Sequence, residues 1–276
     1  MYGWWDYYIH STILRRVHEL PEGEVYLQNI IKAISFHQME GGKTFTLLPL
    51  FEEGHLVSLI NRFQKSPDKT LPELLAMKLT IDVLRAVEAL HVVNIIHGDI
   101  KADNFLVQDS KALVSDKIHT IDDLLNLPTL VLTDFGCGID MSMFGPTVTF
   151  SSVRKGKTTS GFEILASKPW TYQIDLLGIV DVMHCLLFGD YMKLHEQGGV
   201  WRISKSFKRA WSGIWARTFQ RLLNIESSDD IPCLTELRKE FEQEARTHFK
   251  SSEIPKLLRN ARVSLFMQRK SCFIQN

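Results

Sequence analysis

The chain has 276 residues, room for one large domain or two lobes with a sizeable core, since domains run to roughly 100–200 residues. Its 45% apolar and 23% charged residues exclude a disordered, charge-rich chain, and 32 basic residues against 32 acidic ones give no whole-chain field to recruit nucleic acid or an anionic membrane. The cysteines Cys137, Cys185, Cys233 and Cys272 stand far apart without a C-x-x-C pair, which points away from a zinc site or disulfide framework and towards reduced thiols of the cytosol or nucleus.

In chain order, Trp4 to Val17 reads as a helix with Trp5, Tyr8 or Ile9, Ile13 and Val17 on its apolar face, ended by Pro21-Glu22-Gly23. Its aromatic start lacks the basic then apolar profile of a signal peptide. Ile30 to Phe36 and Thr44 to Phe51 read as strands of a hairpin turning at Glu40-Gly41-Gly42-Lys43. A break at Ser66-Pro67-Asp68-Lys69 precedes a capping box, Thr70 with Glu73, which opens a long helix. Leu74, Met77, Ile81, Leu84, Val87 and His91 give that helix one buried face, with His91 as a core histidine and not a metal ligand.

A short strand near Ile95, a polar loop and a strand at Phe105 to Val107 follow; a polar insertion, Gln108 to Pro128, separates them from a strand at Leu130 to Thr133. Ile174 to Phe188 is apolar almost all round and stops at Gly189, so it is a helix enclosed by helices. That run carries Asp175 and Asp181 and is shorter than the ~20 residues that span a bilayer. Beyond it helical segments alternate with Gly, Ser and Pro breaks, and Trp201, Trp211 and Trp215 read as packing residues. No internal repeat or low-complexity linker interrupts the chain. The order predicts an α+β fold: a small strand-containing portion, then a larger, mainly helical one.

Chemistry concentrates in His97-Gly-Asp-Ile-Lys-Ala-Asp-Asn104, which matches the protein kinase catalytic loop H-R-D-L-x-x-x-N except for glycine in place of arginine and Ile for Leu. A loop of this length sets Asp99 beside a substrate hydroxyl and turns Asn104 towards a metal on the nucleotide phosphates; Lys101 suits a charge on the transferring phosphoryl group and favours Ser/Thr over Tyr as acceptor. Thr133-Asp134-Phe135-Gly136 follows an apolar strand, as does the kinase D-F-G whose aspartate holds magnesium. Alone such a triplet is often just a turn; after a catalytic loop it is a second hit in the right order.

The stretch Ser160 to Trp170 supplies Glu163, expected to close the activation segment by pairing with Arg259 or Arg262. Asp175, entering an apolar helix, must be hydrogen-bonded and is expected to hold the catalytic-loop backbone. Leu47 to Gly54 resembles the hinge between kinase lobes, with backbone groups of Pro49 and Phe51 facing adenine and Leu106 beneath it.

With these motifs and several local phrases, the chain resembles the kinase domain of the Bub family of spindle-checkpoint kinases, including its Bub-related branch. The phrases are the glycine of H-G-D-I-K-x-D-N-F, Thr159 to Phe162, Lys168-Pro-Trp-Thr-Tyr-Gln-Ile-Asp175 running into Leu-Leu-Gly178, Leu186 to Gly189, Leu222 to Ile225, and the opening Trp-Trp-Asp-Tyr-Tyr-Ile. The resemblance covers nearly the whole chain. It implies a protein kinase-like fold, with a partial small lobe at residues 1–50 and the helical large lobe at 51–276. It also implies ATP and Mg2+ as cofactors, a protein Ser/Thr substrate, kinetochore and checkpoint partners, no direct nucleic acid, no membrane, and a nuclear, kinetochore location with a cytoplasmic pool.

Three departures follow. The family's Gly-rich loop and strand lysine do not precede Trp4, so an N-terminally truncated chain is expected; Asp6 stands at the helix glutamate's place, one methylene shorter; and Gly98 replaces the arginine that binds a phosphorylated activation loop, so ordering through phosphate on Thr158, Thr159 or Ser160 is not implied. An inert binding module of a checkpoint scaffold is the alternative, and a small-molecule phosphotransferase of the same fold a third reading. Retention of Asp99, Lys101, Asn104 and Asp134 favours the enzyme.

Overall fold

The computed structural model describes residues 2–21, 23–65, 71–109, 112, 115, 117–151, 161–166, 168–207 and 212–266, with side chains to Ala261. Helix α1 (Tyr2–His18) buries Ile9, Ile13 and Val17 of the stripe its periodicity predicts but leaves Trp5 exposed, and the short α2 (Gly23–Leu27) follows. The hairpin strands are shorter than expected: β1 is Ser35–Gln38 and β2 is Thr44–Leu47, antiparallel from Ser35 opposite Leu47 to Gln38 opposite Thr44. Gly41 and Gly42 turn the chain at φ 81° and 76°, the left-handed region that glycine enters without steric cost.

Ile30 does not start this hairpin. It makes a parallel bridge with Leu132, and Ile31 N–H donates to the Leu132 carbonyl at 3.1 Å, which carries two buried apolar side chains into the main body. At the other end β2 stops at Leu47 because Pro49 has no N–H for a ladder. Ile34, Phe45 and Leu47 remain at least half exposed.

Helix α3 (Leu56–Gln64), which the sequence reading missed, buries Leu56, Leu59, Ile60 and Phe63. Helix α4 (Glu73–His91) starts later than a Thr70 cap implies: Pro72 is its N-cap, with no side-chain cap, and Glu73 is its first residue, accepting from Trp215 Nε1–H at 2.9 Å; Thr70 itself lies outside the described residues. α4 is buried on every side from Leu74 to Leu90, so the expectation of one buried face is corrected. Its charged residues are enclosed too, and an unpaired charge there would cost several kcal/mol. Each has a partner. Lys78 meets Asp82 at 2.6 Å, Arg85 reaches Glu242 at 3.3 Å, and Glu88 receives Arg238 at 2.6 Å and Tyr26 at 3.1 Å.

Four two-stranded ladders frame the helices. β3 (Ile95–Ile96) pairs antiparallel with β6 (Ile139–Asp140), and β4 (Phe105–Val107) with β5 (Leu130–Leu132). The insertion between β4 and β5 is not wholly polar: α5 (Ile121–Asn126), capped reciprocally by Thr120 and Asp123, buries Ile121, Leu124 and Leu125. After α6 (Phe162–Ala166), α7 (Gln173–Phe188) is enclosed as predicted and ends at Gly189 with φ 71°.

The hairpin β7 (Leu194–Gln197) and β8 (Val200–Ile203) corrects the expectation of helices alone beyond α7, although Gly198-Gly199 signalled its turn. Helices α8 (Ser212–Leu223), α9 (Leu234–His248) and α10 (Ile254–Phe266) complete the fold. Trp215 is core and packs against Phe241 with the rings tilted, Trp201 is half-buried against the core, and Trp211 lies outside the described residues. Among the described residues no helix is long and apolar enough to cross a membrane.

Candidate active site

The loop from His97 to Asn104 hangs from the buried first turn of α7. Asp175, with no exposed surface, accepts the backbone N–H of Gly98 on Oδ1 and that of His97 on Oδ2, each at 2.8 Å. His91 Nε2 also lies 3.0 Å from Oδ2, so this histidine, expected in the core but only partly buried, braces the anchor. One turn along, a Cβ at Gly178 would stand 2.5 Å from the Ile100 carbonyl, so the small residue lets α7 press on the loop.

Within the loop, Asp99 is 3% exposed, and its Oδ2 accepts from Lys101 Nζ at 2.9 Å and from Asn104 Nδ2 at 3.3 Å. Asn104 Nδ2 also donates to the Asp99 carbonyl at 2.8 Å. Both contacts use the amide nitrogen, which leaves Asn104 Oδ1 as the oxygen available to a hard cation. The predicted trio is thus assembled around one carboxylate.

His97 ties this loop to the D-F-G. Its Nε2–H donates to the Thr133 carbonyl at 3.1 Å and its Nδ1 accepts the Asp99 N–H at 3.3 Å, an arrangement that fits the neutral ring. Asn104 carbonyl accepts from Thr133 N–H at 3.0 Å. The next residue, Asp134, is exposed and takes φ 64°, rare for a side-chain-bearing residue. Phe135 is buried, with the His10 ring stacked on it at 5.3 Å and the His97 ring edge-on at 5.5 Å.

Helix α1 contributes more than the sequence reading found. Asp6 accepts the backbone N–H of Phe135; burial raises its pKa, and that hydrogen bond works against the rise. Trp5 Nε1–H donates to the Gly138 carbonyl at 2.8 Å, and a Cβ at Gly138 would meet Ile9 at 2.7 Å. The spacing Asp6-His10, one helical turn, was the available signal for this face.

The hinge residues lie where β2 gives way to α3. Pro49 is exposed, Phe51 is half-buried and its carbonyl accepts from Gly54 N–H at 3.0 Å. Val107 N–H donates to the Gly54 carbonyl at 2.9 Å and His55 bridges Leu106, which sets Leu106 against the end of this segment. Pro49 can offer only its carbonyl, so the donor of the pair is Phe51 N–H.

Glu163 is exposed and forms no ion pair with Arg259, which is exposed too; the Arg262 side chain, the other expected partner, lies outside the described residues. Lys168 bonds the Ile225 carbonyl, Gln173 Nε2 donates to the Ser227 carbonyl at 2.9 Å, and Phe150 and Trp170 exchange backbone bonds at 2.8 Å. Thr158, Thr159 and Ser160 fall outside the described residues.

Burial pushes the rings of His10, His97 and His184 below the ordinary 6.5, against the pull of the Ile31 carbonyl, Asp175 and the Asp190 carbonyl respectively. The unfolded chain then binds more protons below pH 6.5, so their contribution is whole above that value and is lost as pH falls towards the folded values. The expected result is a melting temperature that falls from about pH 7 to 5, at up to about 1.4 kcal/mol per pH unit for each neutral ring. Thermal melts in matched buffers check it, and a flat profile contradicts it.

The protein kinase domain model matches residues 15–261. The mitotic checkpoint serine/threonine-protein kinase BUB1 of Mus musculus is 34% identical over 271 residues, 96% of this chain and 24% of that protein. The spindle assembly checkpoint serine/threonine-protein kinase BUB1 of Saccharomyces cerevisiae is 31% identical over 84% of this chain and 23% of that protein, so the chain spans about a quarter of each relative's length. The crystal structure of the BubR1 kinase domain superposes with a TM-score of 0.81 at 28% identity, covering 95% of this chain and 74% of that one. The chain belongs to the protein kinase family, as a kinase domain of the Bub spindle-checkpoint type.

Proposed function

We propose that this kinase domain transfers the γ-phosphate of ATP, with Mg2+, to Ser or Thr of a protein substrate in the spindle checkpoint, at kinetochores within the nucleus and from a cytoplasmic pool. The observation that carries the reading is Asp99 held by Lys101 and Asn104. Asp99 orients the acceptor hydroxyl and receives its proton, while Lys101, 2.9 Å away, is placed to offset charge on the phosphoryl oxygens. Asp134 and Asn104 Oδ1 form an oxygen donor set that fits magnesium, which would neutralise charge between the β and γ phosphates. Pro49 carbonyl and Phe51 N–H face adenine, with Leu106 under it.

Asp175 supports the loop from below. Residues 1–50 act as part of a small lobe and 51–276 as the large lobe, a division supported by the apolar Ile34, Phe45 and Leu47 left uncovered on the hairpin. Incubation with γ-labelled ATP, Mg2+ and a Ser/Thr-bearing protein tests the activity, with phosphoserine or phosphothreonine as the expected product. No transfer together with no nucleotide binding would replace the enzyme by a binding module.

A further inference from the structure

The segment after Asp134 is fastened to α1 at both ends. Its near end is held through Phe135 and Gly138, as described above. Its far end is Asp140, 1% exposed in β6, where the Arg16 guanidinium grips the carboxylate with two prongs: Nη1 to Oδ1 at 2.9 Å and Nη2 to Oδ2 at 2.8 Å. The site is built around that grip. Tyr8 OH donates to Oδ2 at 3.0 Å, Ser142 Oγ–H to Oδ1 at 2.7 Å, and Ser142 N–H to Oδ1 at 3.1 Å. Arg16 reaches on to the Val93 carbonyl at 3.0 Å. Burial works to raise the Asp140 pKa, yet Arg16, Ser142 and Tyr8 outweigh it and hold the carboxyl down at about 2, so the pair stays charged at any working pH.

The position of this clamp matters more than its strength. Asp140 pairs through its backbone with Ile95 in β3, the strand that leads into His97, so Arg16, which also reaches the Val93 carbonyl, joins α1 to the β3–β6 ladder. Asp134 sits six residues before Asp140 with φ 64°, a backbone state that persists where the surroundings impose it. The backbone from Phe135 to Asp140, held to α1 at Phe135 and Gly138 and again at Asp140, can relax only if α1 shifts or one fastening opens. Planar two-pronged pairing resists rotation as well as separation, which a single ammonium cannot do.

We propose that Arg16, through its two-pronged bond to Asp140, is a positioning residue for Asp134: it fixes α1 against the segment that sets the metal-binding carboxylate. This rests on the reading of Asp134 as a metal ligand. It also gives α1 a fixed station on β3 and β6, so a partner or modification that swings this helix must first open the Arg16–Asp140 pair.

The test uses the purified chain and two variants: Arg16→Met, which keeps the stem and removes the fork, and Arg16→Lys, which keeps the charge. In the metal-free protein, amide exchange at residues 135–138 is expected to rise about tenfold or more in Arg16→Met and less in Arg16→Lys, with exchange in α4 and α7 unchanged. Mn2+, added as the probe with ATP, is expected to bind about tenfold more weakly to Arg16→Met by paramagnetic titration. Faster exchange confined to residues 139–142, or spread evenly through the chain, would overturn the proposal, because Arg16 would then brace only its neighbours or only the fold. If Arg16→Met does not fold, Arg16→Lys carries the same comparison. Should the unaltered chain bind no Mn2+ with ATP, the metal-ligand reading fails on its own, and the exchange data still decide whether Arg16 governs residues 135–138.

Discussion

Asp99→Asn is expected to lower phosphoryl transfer by roughly 10²- to 10⁴-fold, the usual worth of a positioned general base, with nucleotide affinity intact. The hydrogen bonds around the residue say why. Lys101 and Asn104 both donate to Oδ2, and an asparagine keeps the size of the side chain but not the anion that orients the substrate hydroxyl and receives its proton. Asp134→Asn acts on another step: it takes a negative oxygen ligand from a hard cation, so Mg-dependent nucleotide affinity and rate should fall together. Calorimetric Mg-ATP affinity beside single-turnover phosphorylation separates the two. Wild-type turnover in both variants would leave the motifs as relics and favour the scaffold.

The catalytic loop was legible because its chemistry demands fixed residue types at short spacing: Asp99, Lys101 and Asn104 are neighbours in sequence and meet on one carboxylate. Asp175 was legible for another reason, since a carboxylate in an apolar helix must find partners, and it finds His97 and Gly98. Helix α7 and the Gly41-Gly42 turn were read from composition alone.

What failed was whatever depends on distant partners. α4 read as one-faced because its charges look like a solvated side, but Arg238 and Glu242 come from α9, some 150 residues on, to pair with them. Arg16 and Asp140 are 124 residues apart, and no local pattern announces their bond. Asp6 was placed correctly on the first helix; its partner, the Phe135 backbone, needed the fold.

Gly98 shows the same difference in a form that can be measured. As a bare departure from H-R-D, it is a missing arginine, and restoring Arg should do nothing worse than add an unused charge. The structure says otherwise. Gly98 has φ 75°, and a Cβ there would stand 2.7 Å from the Cys137 carbonyl oxygen, backbone that follows the D-F-G directly. A side chain costs about 1–2 kcal/mol for the left-handed conformation and about 1–3 kcal/mol more for forcing backbone apart. The loop cannot yield cheaply, because Asp175 holds the Gly98 N–H at 2.8 Å and Asp99 comes next. Gly98→Arg and Gly98→Ala should therefore both lose roughly 2–5 kcal/mol of stability, and turnover should fall as Asp99 and the Cys137 segment move apart. Denaturant midpoints read beside turnover check this. If Gly98→Arg were as stable as the parent while Gly98→Ala was not, the arginine would be making a compensating contact and the steric account would be wrong.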